Sequence, residues 1–400
     1  MLFLGLLTFA AAAINTLGRR FSFRAPQLYL GFGFIASIAL SLIAQRWFGG
    51  AVQAVVGLQS SVGVLFIVAC GMQSFKSLKA LAITLVLVAL WLTGEGVLAY
   101  HFGYNADQLI ITDAVLNDNG LAQTMLRVRS RAGILNDPND FAQHLLTMLP
   151  FLWLGWRKGN LPRNLIVVLA PAAFLLYGVY LTHSRGALVS LGILILIVVG
   201  KRVGPAARVG LICLTLMCLP LLSHIAGRSL SGQDGSTRGR VEAWSEGLHM
   251  LRSSPIFGAG FGFYTEHAER TAHNSFVLCF GELGLVGYFF WTGLLLISAL
   301  QLRALMKLPL KDPVDFELHR WANVLEVAFY GYIGAALFLS RTYIVTLYVL
   351  LGMIVVLTEI ARREKKPVFE LRLGSFCTRV LAFDFASMVV VYLFIRVGYR

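Results

Sequence analysis

The sequence predicts an all-α polytopic membrane protein with about 11–12 transmembrane helices and one large outer loop, on three observations. Of its 400 residues 57% are hydrophobic and only 14% charged, and the mean hydropathy is +0.73, which excludes a soluble domain of this size. Apolar runs long enough to cross about 30 Å of hydrocarbon, roughly 17–25 residues each, recur with short polar gaps. Those runs are continuous rather than alternating, so helices and not barrel strands must satisfy the backbone in lipid.

In chain order the runs are 2–17, 27–45, 51–72, 80–100, 141–156, 164–182, 186–200, 208–225, 275–301, 321–340, 342–361 and 378–396, the last the least well marked. The opening "MLFLGLLTFAAAAINTLG" has no basic region ahead of its apolar part, and further spans follow at once. It reads as a short first span, or the remnant of one that starts upstream, rather than a cleaved leader. No internal repeat or low-complexity linker interrupts the chain, so 1–400 reads as one transmembrane domain.

Basic residues set the orientation. The gaps "GRRFSFRAP", "KSLKA", "RKGNLPR", "GKRVGPAAR", "LRALMKLPLKDPVDFELHR" and "ARREKKPVFELR" alternate correctly with the spans if all face the cytoplasm. Two long outer loops then remain, about 101–140 and the larger 226–272. All eight lysines fall inside. The outer side carries only arginines: Arg46, Arg127, Arg129, Arg131, Arg185, Arg228, Arg238, Arg240, Arg252, Arg270 and Arg341. A guanidinium grips phosphate oxygens bidentately and keeps its proton, so this bias points to anion binding, although positive-inside selection also removes lysine from outer loops. The net charge of +14 suits anionic lipid, and no nucleic-acid module is present.

Histidine is just as one-sided, with only His319 inside. No histidine pair has metal-ligand spacing and no carboxylate cluster accompanies them, so neither a metal nor a cofactor is expected. Cys70, Cys213, Cys218, Cys279 and Cys377 lie in or beside apolar runs and read as buried thiols.

Within 226–272, "TRGRVEAWSEGLHMLRSSPIFGAGFGFYTEHAERTAHN" starts with Arg238 and Arg240. It continues as a short amphipathic helix with Val241, Trp244, Leu248 and Leu251 on one stripe, expected along the membrane surface, and breaks at Ser253-Ser254-Pro255. "GAGFGF" is no nucleotide loop, because Phe263 stands where G-x-G-x-x-G needs its last glycine and no strand precedes it. Its glycines are expected to let backbone pass close to headgroups or to a neighbouring helix.

His273-Asn274, nine residues, Gly284, two residues, Gly287 reproduces an H-N-x9-G-x-x-G pattern. "NDPNDFAQ" (136–143), "HSRGALVS" (183–190) and "GRVEAW" followed by "PIFGAGFGFY" accompany it in order. Over roughly residues 130–300 the sequence resembles the bacterial O-antigen ligases, whose superfamily includes O-antigen and exopolysaccharide polymerases. That resemblance implies a C-type glycosyltransferase-like fold in the inner membrane, acting at the periplasmic face on a glycan carried by undecaprenyl pyrophosphate. It makes 226–272 a periplasmic loop carrying part of the active site. The family's essential histidine and two arginines fall by motif on His273, Arg185 and Arg240. Asn274, Arg238, Asn136, Asp137, Asn139 and Tyr264 are candidate substrate contacts. One span fewer precedes the large loop than is usual in these ligases.

The chemistry fits. Sugar transfer from a lipid pyrophosphate needs a base for the incoming hydroxyl, and His273 with an ordinary pKa near ~6.5 suits neutral pH. It also needs fixed positive charge for the leaving diphosphate, which arginines supply without metal. No carboxylate is placed as a covalent nucleophile, so a metal-independent, inverting displacement is expected.

Each candidate also has a plainer role: Arg185 as an interfacial anchor, Arg240 as a solvated loop residue, His273 as a helix-start residue. Asp137, Pro138 and Asp140 make a good helix start by themselves. Glu95 and Glu282 lie in or near spans and need partners, either outer arginines or an acceptor path. Ligation of finished O-antigen to lipid A-core and polymerisation of lipid-linked repeats both remain open, with ligation favoured. A small-anion transporter is the reading from another class, disfavoured because the polar residues gather in one outer loop rather than at the bilayer midplane.

Overall fold

A computed structural model describes residues 25–116, 122–131, 133–204, 235–268 and 271–398. The chain is an all-α polytopic membrane protein. Its helices are α1 (Pro26–Ala44), α2 (Phe48–Gly57, continued by a 3-10 turn to Ser60), α3 (Gly63–Gly71), α4 (Phe75–Phe102), α5 (Pro138–Leu152), α6 (Leu161–Leu181), α7 (Arg185–Gly200), α8 (Gly235–Ser253), α9 (Ser275–Met306), α10 (Pro313–Ala336), α11 (Val345–Arg363) and α12 (Leu373–Gly398). Among the described residues, six of these are long and apolar enough to cross a bilayer, and α2 with α3 forms an apolar pair bent by 40°, a broken span or a re-entrant loop.

The expected runs 2–17 and 208–225 lie outside the described residues. Two others are shorter than a full crossing. At 15 and 16 residues, α5 and α7 reach only about 22–24 Å at a rise of 1.5 Å per residue. The run 378–396 is an unbroken helix, α12, whose Leu381, Phe385 and Val390 are exposed and read as lipid-facing. The one departure from helix among the described residues lies in the outer loop 101–140, where β1 (Ile110–Leu116) pairs antiparallel with β2 (Ala122–Val128).

By contacts the chain divides into two compact units. Unit 1 comprises Met1–Leu78, Gln233–Asn323 and Ala336–Arg400, and unit 2 comprises Lys79–Gly232 and Val324–Ala335.

In unit 1, α9 packs on α1, α8, α11 and α12, and α11 packs on α3. A Cβ on Gly352 of α11 would come 2.8 Å from Val68 of α3, so a small residue lets these helices approach. Buried amides give α1, α9 and α11 a shared polar ladder: Gln27 donates to Gln301 and to Ser298 Oγ (3.4 Å), and Thr358 donates to Gln301 Oε1 (3.2 Å).

Helix α9 is broken at Gly284, where φ is +61° and ψ −163°. Two N–H groups and two carbonyls thereby lose their helical partners, and the segment Pro255–Gly260 supplies all four. Leu285 N donates to Pro255 O (2.9 Å) and Val286 N to Ile256 O (3.1 Å). In return Ala259 N donates to Gly281 O and Gly260 N to Glu282 O, both at 3.0 Å. The glycines of "GAGFGF" therefore let backbone approach a helix: a Cβ on Gly258 would lie 2.3 Å from the Glu282 carbonyl. Glu282 has other partners than arginine: its Oε2 accepts from the Tyr343 hydroxyl (2.8 Å) and its Oε1 from Tyr264 N (3.3 Å).

Two gaps assigned to the cytoplasm meet in unit 1. Lys366 Nζ binds Asp312 Oδ2 and, at 2.7 Å, Asp315 Oδ1. The hydrogen bond with Lys366 holds both carboxyls below their ordinary 3.8, and those carboxylates raise Lys366 above its ordinary 10.5. The carboxylates' share of stability is present above about pH 4 and lost as pH falls through their lowered pKa values. The lysine's share is present below about pH 10 and lost as pH rises through its raised value. Protease cutting within 364–372 should therefore stay slow from about pH 5 to 9 and accelerate below pH 4, whereas Lys366→Met should cut fast at neutral pH.

The break at α9 makes graded demands. Gly284→Ala and Gly258→Ala should each lower the melting temperature of detergent-solubilised protein severely. Gly262→Ala, at φ +81° with open space around it, should cost only about 1–2 kcal/mol of backbone strain. Equal effects at all three positions would contradict this account.

Candidate functional site

His273 stands immediately before α9 with φ +48°, a left-handed conformation that strains a residue with a Cβ. Its neighbours on both sides are pinned. Thr271 Oγ1 bonds Ser340 Oγ (2.6 Å), and Ala272 O accepts from Trp244 Nε1 (2.9 Å). Asn274 Oδ1 caps α9, accepting from Phe276 N (2.9 Å) and Val277 N (3.2 Å). Ser275 Oγ donates to Leu339 O (2.6 Å) and accepts from Arg341 N (2.7 Å), and its carbonyl accepts from Thr342 Oγ1 (2.8 Å). The helix cap is thus Asn274, and His273, half-buried, is the residue before it.

Trp244 belongs to α8, one turn after Arg240. Its bond to Ala272 therefore brings the helix of Arg240 against the segment of His273, within unit 1. Arg240 is half-buried. Arg238 lies on α8, and its side chain is outside the described residues. The helix ends at Ser253 as its sequence demands, and its inner face packs on protein. Val241, Ala243, Gly247 and Met250 are buried, α8 packs on α9 and α12, and Trp244 lies 4.8 Å from Phe394. Tyr264 is 1% exposed and donates its hydroxyl to Ala243 O, a strut between the loop and α8. Burial, with Glu246 and Glu282 nearby, pushes its phenol well above the ordinary range.

Arg341 is the residue of this neighbourhood that sequence reasoning left among the outer arginines. The residue is buried at 8% exposure, and its backbone N–H is bonded to Ser275, two residues after His273. The signal was an arginine in a very short outer gap between two spans.

In unit 2, Arg185 is the first residue of α7, half-buried, behind the cap Ser184, whose Oγ accepts from Ala187 N (3.2 Å). His183, before that cap, is left-handed at φ +47°, the same arrangement that His273 and Asn274 make at α9. The "NDPND" block starts α5 as expected: Asp137 caps it by accepting from Asn139 N (2.8 Å), and Pro138 is its first residue. Asn136 is exposed. Asn139 Oδ1 accepts from Ser184 Oγ (2.7 Å) and from Arg127 Nη2 (3.1 Å).

Three outer arginines have structural partners. Arg127, 6% exposed, also bonds Asp113 Oδ2 (2.8 Å) and Thr182 O (2.9 Å); Arg129 Nε bonds Gln108 O (2.9 Å); Arg131 pairs with Glu95. The buried Glu95 thus has the arginine partner its position requires.

Unit 1 also holds a cavity of about 490 Å³ between α1, α2 and residues 261–266, with Trp47 stacked on Phe263 in its wall. None of the candidate residues lines it, so it is distinct from the histidine–arginine neighbourhood.

Residues 170–292 match the O-antigen ligase family. That match supports a likeness to the O-antigen ligase superfamily over about a third of the chain. Arg185, Arg240, His273, Gly284 and Gly287 all lie inside the matched span, whereas Arg127 and the "NDPND" block precede it. No curated protein matches the chain. The match supports an O-antigen ligase-type function in general, and the apolar helices make the chain a multi-pass membrane protein.

Because His273 is held at positive φ, His273→Gly should be more stable than His273→Ala by about 1 kcal/mol, read from thermal unfolding of the two purified variants. Ser275→Ala strands a buried N–H and a carbonyl and should cost roughly 1–3 kcal/mol by the same measurement.

Proposed function

We propose that this protein transfers a glycan from undecaprenyl pyrophosphate to an acceptor hydroxyl at the periplasmic face of the inner membrane, with ligation of O-antigen to lipid A-core as the reaction. The observation that carries the reading is that one family match spans all three candidate catalytic residues. The docking of Arg240's helix beside His273 in unit 1 supports it.

His273 takes the proton of the acceptor hydroxyl as its oxygen attacks the anomeric carbon. The bond from that carbon to the pyrophosphate oxygen breaks, and the electron pair leaves with the lipid diphosphate. Arg185 and Arg240 meet the negative charge that grows there, with Arg341 as a third guanidinium. A single displacement inverts the anomeric centre. The residues assigned to the step need no metal.

Arginine at the first position of α7 gives this assignment an electrostatic motive. The helix dipole places partial positive charge at that end, so a cation costs roughly 0.3–1 kcal/mol until an anion joins it. Polymerisation of lipid-linked repeats uses the same donor and the same three residues.

His273→Ala, Arg185→Ala and Arg240→Ala should each lower turnover of lipid-pyrophosphate glycan by at least 100-fold, while excess chelator leaves the wild type unaffected. Full activity in both His273→Ala and Arg185→Ala would overturn the assignment. Deleting the gene should leave lipopolysaccharide without long chains while free lipid-linked polymer accumulates. Single-repeat products would indicate polymerisation instead.

A further inference from the structure

Arg127 precedes the matched span 170–292 and is bonded to a residue inside it, Thr182. Arg127 is buried on β2 and uses every face of its guanidinium within unit 2: Nη1 on Asp113 of β1, Nε on the carbonyl of Thr182 and Nη2 on Asn139 at the start of α5. Asn139 Oδ1 also receives the hydroxyl of Ser184, and Ser184 is the cap of the helix that Arg185 begins. The turn 182–184 is therefore gripped at both ends, by Arg127 at Thr182 and by Asn139 at Ser184. Between them His183 is held at φ +47°.

We propose that Arg127 and Asn139 are positioning residues that act through Ser184 to aim the guanidinium of Arg185. This inference rests on the role given to Arg185 above. It assigns the hairpin β1–β2 a task, since its pairing of Ile111 with Arg127 and Asp113 with Met125 sets Arg127 beside its acid. It also gives the oxygen of Asn139 to the protein rather than to substrate.

The network's chemistry explains its residue types. Asn139 Oδ1 must accept two hydrogen bonds at once, from a guanidinium and from a hydroxyl, which a carbonyl oxygen with two lone pairs can do. Arg127 must serve three acceptors from one plane, which a lysine ammonium cannot reproduce. An error of about 1 Å in a catalytic group can cost on the order of 100-fold in rate, so loosening this turn should reach the reaction without touching substrate.

The test uses full-length protein in proteoliposomes, supplied with glycolipid extracted from cells deleted for this gene, which holds both donor and acceptor. Asn139→Leu and Ser184→Ala should each lower kcat roughly tenfold or more with a smaller change in donor KM. Combined they should lose no more than either alone. Asn139→Asp, which keeps both acceptor bonds, and Ser184→Thr, which keeps the hydroxyl, should restore most of the rate. In an Arg185→Lys background with residual activity, Asn139→Leu should have little further effect. Arg127→Ala removes the guanidinium beside the partly exposed Asp113 and is not needed for the decision.

Loss of turnover in Arg185→Ala with wild-type kinetics in Asn139→Leu would overturn this proposal alone. Wild-type turnover in Arg185→Ala would overturn the role of Arg185 itself. A change in donor KM with kcat intact, or additive loss in the Arg185→Lys background, would make Asn139 a direct substrate contact and defeat the positioning role.

Discussion

A helix that breaks among apolar neighbours leaves backbone groups that neither lipid nor side chains satisfy, and each costs several kcal/mol if left so. In α9 the break at Gly284 is closed by four hydrogen bonds from Pro255–Gly260. That one exchange fixes the path of the outer loop on either side. Upstream it sets α8, which ends at Ser253, against α9, with Gly247 allowing an approach that a Cβ would block at 2.4 Å from Val277. Downstream it delivers Tyr264 to the carbonyl of Ala243 and to Glu282. Arg240 and His273 belong to segments whose positions follow from this docking.

The same exchange explains why the two glycines of the H-N-x9-G-x-x-G pattern differ. Gly284 is needed for its backbone conformation, which only glycine adopts without strain, and for its contact with Ile256. Gly287 is helical, and a Cβ there would press on Leu283 and come within 3.1 Å of Ser37 of α1. One glycine makes the break and the other lets the resumed helix pack. The histidine and asparagine at the other end of the pattern make the start: Asn274 closes the first turn, which frees His273 from capping and leaves its imidazole to other work.

Much of this was legible from residues alone, because its signals are local. The start of α5 at Asp137-Pro138, the end of α8 at Ser253 and the long runs of α1, α4, α9 and α11 follow from capping, proline and hydropathy. What was hidden depends on contacts distant in the chain. Nothing in "GAGFGF" announces which helix a glycine loop will touch, and the pairing of Glu282 with Tyr343 spans sixty-one residues. The hairpin was hidden for another reason: "IITDAVL" and "AQTMLRV" alternate too weakly to separate from a polar loop, and only pairing makes them strands. Arg127 was counted as one more outer cation because its burial is a property of the hairpin.

Placing partners around the outer arginines sharpens what their excess over lysine means. Arg127 and Arg131 are neutralised by Asp113 and Glu95, and Arg129 is spent on a backbone carbonyl, so compositional bias alone overstates the cations available to an anion. A buried guanidinium tied to three acceptors stabilises a particular turn, whereas the ammonium of lysine, with its three donors on one compact nitrogen, cannot span acceptors spread around a plane. Part of the arginine excess therefore answers an architectural demand. The architectural group builds the turn at Thr182–Ser184, and the residue that follows that turn is Arg185, held where the positive end of α7 makes a second positive charge unfavourable unless a negative one arrives. A fold that invests a buried, multiply bonded arginine in holding another arginine at an electrostatically adverse position is consistent with a site whose stability is completed by its ligand.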